Sequence, residues 1–259
     1  MPAQRAGLWH ERHGSGAPVL LLVHGLGATG EVWRGVSELA ADAVGARVLV
    51  DLPGHGRSAH LPAYSYEAHA RSLQALLAAL PGPVVVAGHS MGGYVGALLA
   101  GEAYGLDVAA VVGLGIKVRW SDEEVEGMRR RAGQPVRWFA TRDEAAARYL
   151  RSVGLDGIAD PAGPIVGSGI VQGKGGWRLA LDPLAYQVGR PDMAGCLVAA
   201  RAPVTLARGA GDQMVATADL QALPARVREL PGLGHNAHVE DPAAVWGLIA
   251  SAAAEAGVL

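Results

Sequence analysis

Ser90 stands in Gly88-His89-Ser90-Met91-Gly92, directly after an apolar run at 84–87 and before a helix-forming stretch at 92–102. Glycines on either side of a serine, between strand and helix, predict a sharp turn that holds the hydroxyl out from the sheet edge. A serine hydroxyl is a poor nucleophile near neutral pH and needs a base held by an acid. Asp212, in Gly209-Ala210-Gly211-Asp212, follows the run at 204–207, and His235, in Gly232-Leu233-Gly234-His235, follows the run at 227–230. The expected chemistry is acyl transfer, with Ser90 as nucleophile, His235 as base and Asp212 as its orienting acid. His238 competes as the base, but it lacks a preceding glycine and enters the last helix. Glu240 and Asp241 read as charges at the start of that helix.

Acyl transfer also needs donors for a developing oxyanion, and backbone N–H groups are rigid ones. The candidates are the amide of Met91, next after the serine, and the amide of Leu26 in His24-Gly25-Leu26-Gly27. His24 itself reads as a brace for that loop. These residues call for no metal and no cofactor.

The elements that must position these groups follow from hydrophobic patterning. Runs at 19–23, 47–50, 84–87, 108–113, 204–207 and 227–230 read as buried strands, most of them apolar without alternation, as in parallel strands covered on both faces. Helical composition at 66–80, 92–102 and 241–254 separates or follows them, and 8–12 suits an antiparallel edge strand. The order predicts an α/β open sheet with right-handed crossovers, and loops after the strands carry all three reactive groups. Regularity fails between 117 and 190, where charges cluster and Pro161, Gly163, Pro164, Gly167 and Gly169 interrupt. Ser121, followed by three acids, predicts one helix start, and Thr141 caps a second helix at 141–150. No strand-like run is visible there. The expectation is a helical cap at 117–190 inserted into a core formed by 1–116 and 191–259.

Half of the 259 residues are hydrophobic, and the net charge is -2. Such a chain buries a full core, and nothing in its charge suggests nucleic acid or an anionic membrane as a partner. One cysteine excludes an internal disulfide framework. The polar first 16 residues are unlike a secretion signal, and no apolar run is long enough to span a bilayer, so a cytoplasmic location is expected. Oligomeric state is not legible. Glycine, at 37 residues, is about twice its usual share of roughly 7%, and many of the glycines fall in the loops named above.

Five elements in order resemble the α/β-hydrolase superfamily, over essentially the whole chain. They are Val23-His24-Gly25-Leu26-Gly27, Asp51-Leu52-Pro53-Gly54-His55-Gly56-Arg57-Ser58, Gly88 to Gly93, Gly209 to Asp212, and Gly234-His235 with Glu240-Asp241-Pro242. The resemblance is to capped bacterial serine hydrolases of the esterase type. It implies the α/β-hydrolase fold, with a mostly parallel central sheet, helices on both faces and the inserted cap. It implies bracing roles for Asp51, His55 and Arg57, and packing for Trp33. Ser90 stands where related dehalogenases and epoxide hydrolases carry aspartate.

The expected reaction is hydrolysis of a small-molecule carboxylic ester with an apolar or aromatic portion. Alternatives are a C–C bond hydrolase of ring-cleavage diketones, a lactonase, and a non-catalytic ligand receptor. The oxyanion loop lacks the polar Gly-Pro-Gly stretch common in the C–C hydrolases. Within 117–190, Trp120, Met128, Trp138, Phe139, Tyr149, Trp177 and Tyr186 can supply apolar surface. Trp138 and Trp177 are the expected pocket residues. Arg129, Arg130 and Arg131 read as a solvated helix face, with attraction of a carboxylate-bearing substrate as the alternative. Gly173, Gly175 and Gly176 around Lys174 read as a hinge.

Overall fold

Seven strands form the central sheet of the computed structural model, which describes residues 7–259; the chain's start at 1–6 lies outside the described residues. In chain order the elements are β1 (His10–Gly14), β2 (Val19–Val23), α1 (Arg34–Leu39), β3 (Ala46–Val50), α2 (Tyr66–Leu77), β4 (Val84–His89), α3 (Met91–Leu99) and β5 (Val108–Leu114). Then come α4 (Asp122–Ala132), α5 (Arg142–Val153), α6 (Pro164–Gly169), β6 (Ile170–Gly173), β7 (Gly176–Leu179), α7 (Met193–Ala199) and β8 (Val204–Gly209). The chain closes with α8 (Thr217–Gln221), β9 (Arg226–Leu230), α9 (Ala237–Glu240) and α10 (Pro242–Glu255). The sheet order is β1-β3-β2-β4-β5-β8-β9, with β1 antiparallel to β3 and every other pairing parallel.

Strands β2 and β4 are buried throughout, because helices cover both of their faces. One core cluster joins the sheet to α2, α3 and α7, and the other joins it to α1 and α10. Strand β9 departs from the expectation of a buried strand. It closes the sheet's edge, and Arg226, Arg228 and Glu229 are exposed there. With a neighbour on one side only, its charged side chains reach water.

Residues 117–190 lie between β5 and β8 in the chain. Both expected helix starts are present with reciprocal caps: Ser121 with Glu124 on α4, and Thr141 with Glu144 on α5. The segment has no core of its own. Met128, Leu181, Ala185 and Val188 join one cluster of the main sheet, and Tyr149, Leu150, Leu155 and Ile170 join the other.

The segment also contains a hairpin that the sequence does not suggest. Strands β6 and β7 pair antiparallel from Ile170–Leu179 to Gly173–Gly176 around Lys174 and Gly175. Each strand is only four residues long and glycine-bounded, so it leaves no periodic signal. The expected hinge is therefore a hairpin turn. A Cβ at Gly173 or Gly175 would meet the Trp138 ring at 2.8 Å, so the glycines let an indole lie on the turn. No described helix is long and apolar enough to cross a membrane.

Candidate active site

Ser90 occupies the turn between β4 and α3 with φ 51° and ψ −116°, the one non-glycine residue at positive φ among the described residues. Such a conformation is held only where packing over-determines it. Here a Cβ at Gly88 would meet the Gly92 carbonyl oxygen at 2.3 Å, and one at Gly92 would meet the His24 and Val23 carbonyl oxygens at 2.4 Å. The Ser90 amide is anchored by donation to the Leu114 carbonyl at 2.7 Å.

Asp212 and His235 reach the same sheet edge from the loops after β8 and β9. His235 Nδ1 lies 2.8 Å from Asp212 Oδ2, while Asp212 Oδ1 accepts from the Met214 amide at 2.8 Å. A carboxylate only accepts, so Nδ1 carries the proton and Nε2 presents a lone pair. Burial pushes the Asp212 carboxyl up, but the His235 hydrogen bond and charge, the Met214 amide and Arg208 outweigh it and hold it below its ordinary value. The aspartate is charged at neutral pH. Ser90 Oγ and His235 Nε2 each make no hydrogen bond among the described residues, and both residues line one cavity of about 760 Å³.

His238 is not beside that cavity. It is buried between the Trp33 ring, 4.5 Å away between centroids, and the His89 ring at 4.4 Å. Burial, with the neighbouring His235 and His24, lowers it to about 3, so it stays neutral. Trp33 is fully buried in this stack.

The loop after β2 passes against the turn that carries Ser90, where a Cβ on Gly25 would meet Ser90 Cβ at 3.2 Å. Leu26 and Met91 both line the space around Ser90, and neither backbone N–H donates a hydrogen bond among the described residues. His24 braces this loop. Its Nε2 accepts from the Leu52 amide at 2.8 Å, and its Nδ1 donates to the Gly25 carbonyl at 2.7 Å. Asp51, fully buried, accepts from the Gly30 amide at 2.8 Å and from Arg57 Nε at 2.7 Å, tying the loops after β2 and β3 together. His55 packs beside His24 at 5.0 Å between centroids.

Several supporting groups escape sequence reading. Glu240, in the first turn of α9, does more than charge a helix start: its carboxylate accepts from the Gly234 amide at 2.5 Å and the N-cap Asn236 amide at 3.1 Å, clamping the His235 loop. Asp241 does cap α10, accepting from the Ala244 amide at 2.9 Å. Asn236 Nδ2 donates to the Val153 and Gly154 carbonyls, joining that loop to the end of α5. Gly115, with φ +64°, leaves a side chain little room, since a Cβ would stand 3.2 Å from the His235 ring. A glycine at the end of an apolar run is its sole mark in the sequence.

The expected pocket residues lie elsewhere. Trp138 is 43% exposed over the β6–β7 turn, and Trp177 in β7 pairs through its backbone with Phe139. The hairpin holds both away from the Ser90 cavity. Trp120, Met128, Tyr186 and Met214 line the cavity instead. On one side Ser90 also borders a slot of about 40 Å³ between Leu26, Tyr66, Met91, Tyr94, Trp120 and Val188.

Residues 20–248 match the model of a family described as Alpha/beta hydrolase family. The chain belongs to the alpha/beta hydrolase family. Among curated relatives of this hydrolase, the mouse (Mus musculus) sn-1-specific diacylglycerol lipase ABHD11 is 41% identical over 85 residues, covering 32% of this chain and 28% of that protein. The pimeloyl-[acyl-carrier protein] methyl ester esterase of Vibrio atlanticus (strain LGP32) is 46% identical over 94 residues, covering 36% and 33%. The matched region thus spans about a third or less of each relative's length. Among solved structures, E-2-(acetamidomethylene)succinate hydrolase superposes with a TM-score of 0.80 at 23% identity, covering 95% of this chain and 94% of that one. The thioesterase domain from the curacin biosynthetic pathway gives 0.77 at 23% identity, covering 94% and 95%. These likenesses establish the α/β-hydrolase fold, and the relatives support a hydrolase enzyme.

Proposed function

We propose that this alpha/beta hydrolase is a serine hydrolase that cleaves a carboxylic ester with an apolar portion. The observation that carries the reading is the 2.8 Å bond from His235 to Asp212 on the same cavity as a conformationally strained Ser90. His235 Nε2 takes the proton from Ser90 Oγ as the oxygen attacks the ester carbon. Asp212 keeps the imidazole in the required tautomer and stabilises its cation. The Leu26 and Met91 amides, uncommitted among the described residues, donate to the oxyanion of the tetrahedral intermediate. Collapse of that intermediate passes the proton from His235 to the departing alcohol. Water, deprotonated by the same histidine, then hydrolyses the acyl-enzyme.

The slot beside Met91 and Tyr94 suits a small apolar acyl group, because aromatic and aliphatic side chains make most of its walls, with Lys117 the one charged residue on it. The wide cavity suits the leaving alcohol and the entering water. In this reading 117–190 is a cap, and its Trp120, Met128 and Tyr186 roof the reacting centre. A small-molecule ester as substrate agrees with the methyl ester esterase named among the relatives.

Fluorophosphonate labelling of the intact chain tests the reading. The label is expected on Ser90, with ester hydrolysis lost in Ser90→Ala. Labelling that survives Ser90→Ala, or undiminished hydrolysis by that variant, overturns it.

A further inference from the structure

Residues 117–190 carry 12 of the chain's 22 Lys and Arg but only nine of its 24 Asp and Glu, so the segment is net +3 in a chain of net -2. Part of this charge converges on a second cavity of about 370 Å³, lined by Arg131, Arg137 and Arg148 with Phe139, Leu181 and Tyr186 among its walls. No aspartate or glutamate lines it. Arg34, Arg57, Arg119, Arg190, Arg201, Arg208 and Arg226 each pair with a carboxylate, whereas these three have none within ion-pair distance among the described residues. Arg131 lies over the Tyr186 ring at 5.9 Å and Arg137 over the Phe139 ring at 5.0 Å. Guanidinium groups stacked on aromatic faces are oriented but retain their donors for an anion.

Arg131 and Tyr186 also line the wide Ser90 cavity, and neither lines the narrow slot. The two cavities therefore share this pair as a common wall, on the side assigned to the leaving alcohol.

We propose that the Arg131, Arg137 and Arg148 cleft binds a carboxylate or phosphate at the far end of the substrate's alcohol portion. This rests on the ester-hydrolase reading of Ser90 for the role of the bound molecule, and on the cleft alone for the binding. Planar guanidinium forks match both oxyanions, and three in one cleft favour a charged end over a neutral one. The substrate class is then a short-acyl ester of an anionic alcohol.

The test has two readouts. The first compares kcat/KM at low salt for acetate esters of pentanol, 5-hydroxypentanoate and 4-hydroxybutyl phosphate. The wild-type chain is expected to prefer one or both charged esters by tenfold or more. That ratio should fall about tenfold in Arg137→Gln/Arg148→Gln and shrink as salt is raised. Equal rates for charged and neutral esters, or a ratio that the double variant keeps, overturn the proposal. The second readout needs no turnover: glutarate or inorganic phosphate should raise the Tm of Ser90→Ala and lose that effect when Arg137→Gln/Arg148→Gln is added. Anion stabilisation without hydrolysis of any ester upholds the cleft and overturns the ester reading. Hydrolysis without anion stabilisation does the reverse.

Discussion

His89 Nε2 lies 3.0 Å from the backbone carbonyl oxygen of His235, so the residue before Ser90 is bonded to the loop that carries His235. A carbonyl can only accept, so His89 is the donor, and its ring meets that of His235 edge-on at 4.6 Å between centroids. Burial and the neighbouring histidines hold His89 well below its ordinary value, which keeps it neutral. The Ser90 turn and the His235 loop thus share one fixed strut. His89→Phe keeps the ring and removes the donor. It should lower kcat about tenfold with little change in KM and cost about 1–2 kcal/mol of stability. Steady-state kinetics and thermal unfolding read both.

Asp212→Asn keeps the side chain's size but can donate to His235, which favours the wrong tautomer. The expected loss in kcat is on the order of 10³–10⁴-fold, with a small change in Tm. A variant within tenfold of the wild type would remove Asp212 from the proposed mechanism.

Gly115→Ala should act on the site from beneath. Its φ of +64° disfavours a side chain, and the added Cβ would press on the His235 and His89 rings at 3.2–3.3 Å. The expected cost is about 1–2 kcal/mol of stability, and kcat should fall more than KM changes. Differential scanning fluorimetry beside ester kinetics separates the two effects.

Acid should destabilise the fold before it protonates surface carboxylates. Burial lowers His24, His55, His69, His89 and His238, with His69 at about 4 and His238 at about 3 against an ordinary 6.5. Such histidines stay neutral in the folded chain, whereas the unfolded chain protonates them near pH 6.5. Unfolding therefore takes up protons below that pH, and stability falls as pH drops from about 6.5 towards 3. Denaturation midpoints between pH 7 and 5 should show this slope. His238→Phe, which preserves the stack on Trp33, should reduce the uptake by about one proton. An unchanged slope would mean that His238 protonates freely in the folded protein.

The positions of Ser90, Asp212 and His235 after strands, the parallel sheet and the starts of α4 and α5 were legible because each rests on local chemistry. A glycine-flanked turn, a buried apolar run and a capping serine or threonine act within a few residues of themselves. Tertiary structure decided what depends on distant neighbours. It took Trp138 and Trp177 to a hairpin of four-residue strands and left Trp120, Met128 and Tyr186 around Ser90. It made Glu240, a helix-start charge, also the clamp on the His235 loop, and exposed β9 at the sheet edge. Apolar side chains of one kind serve equally as packing or as pocket lining, and only the elements packed opposite them determine which.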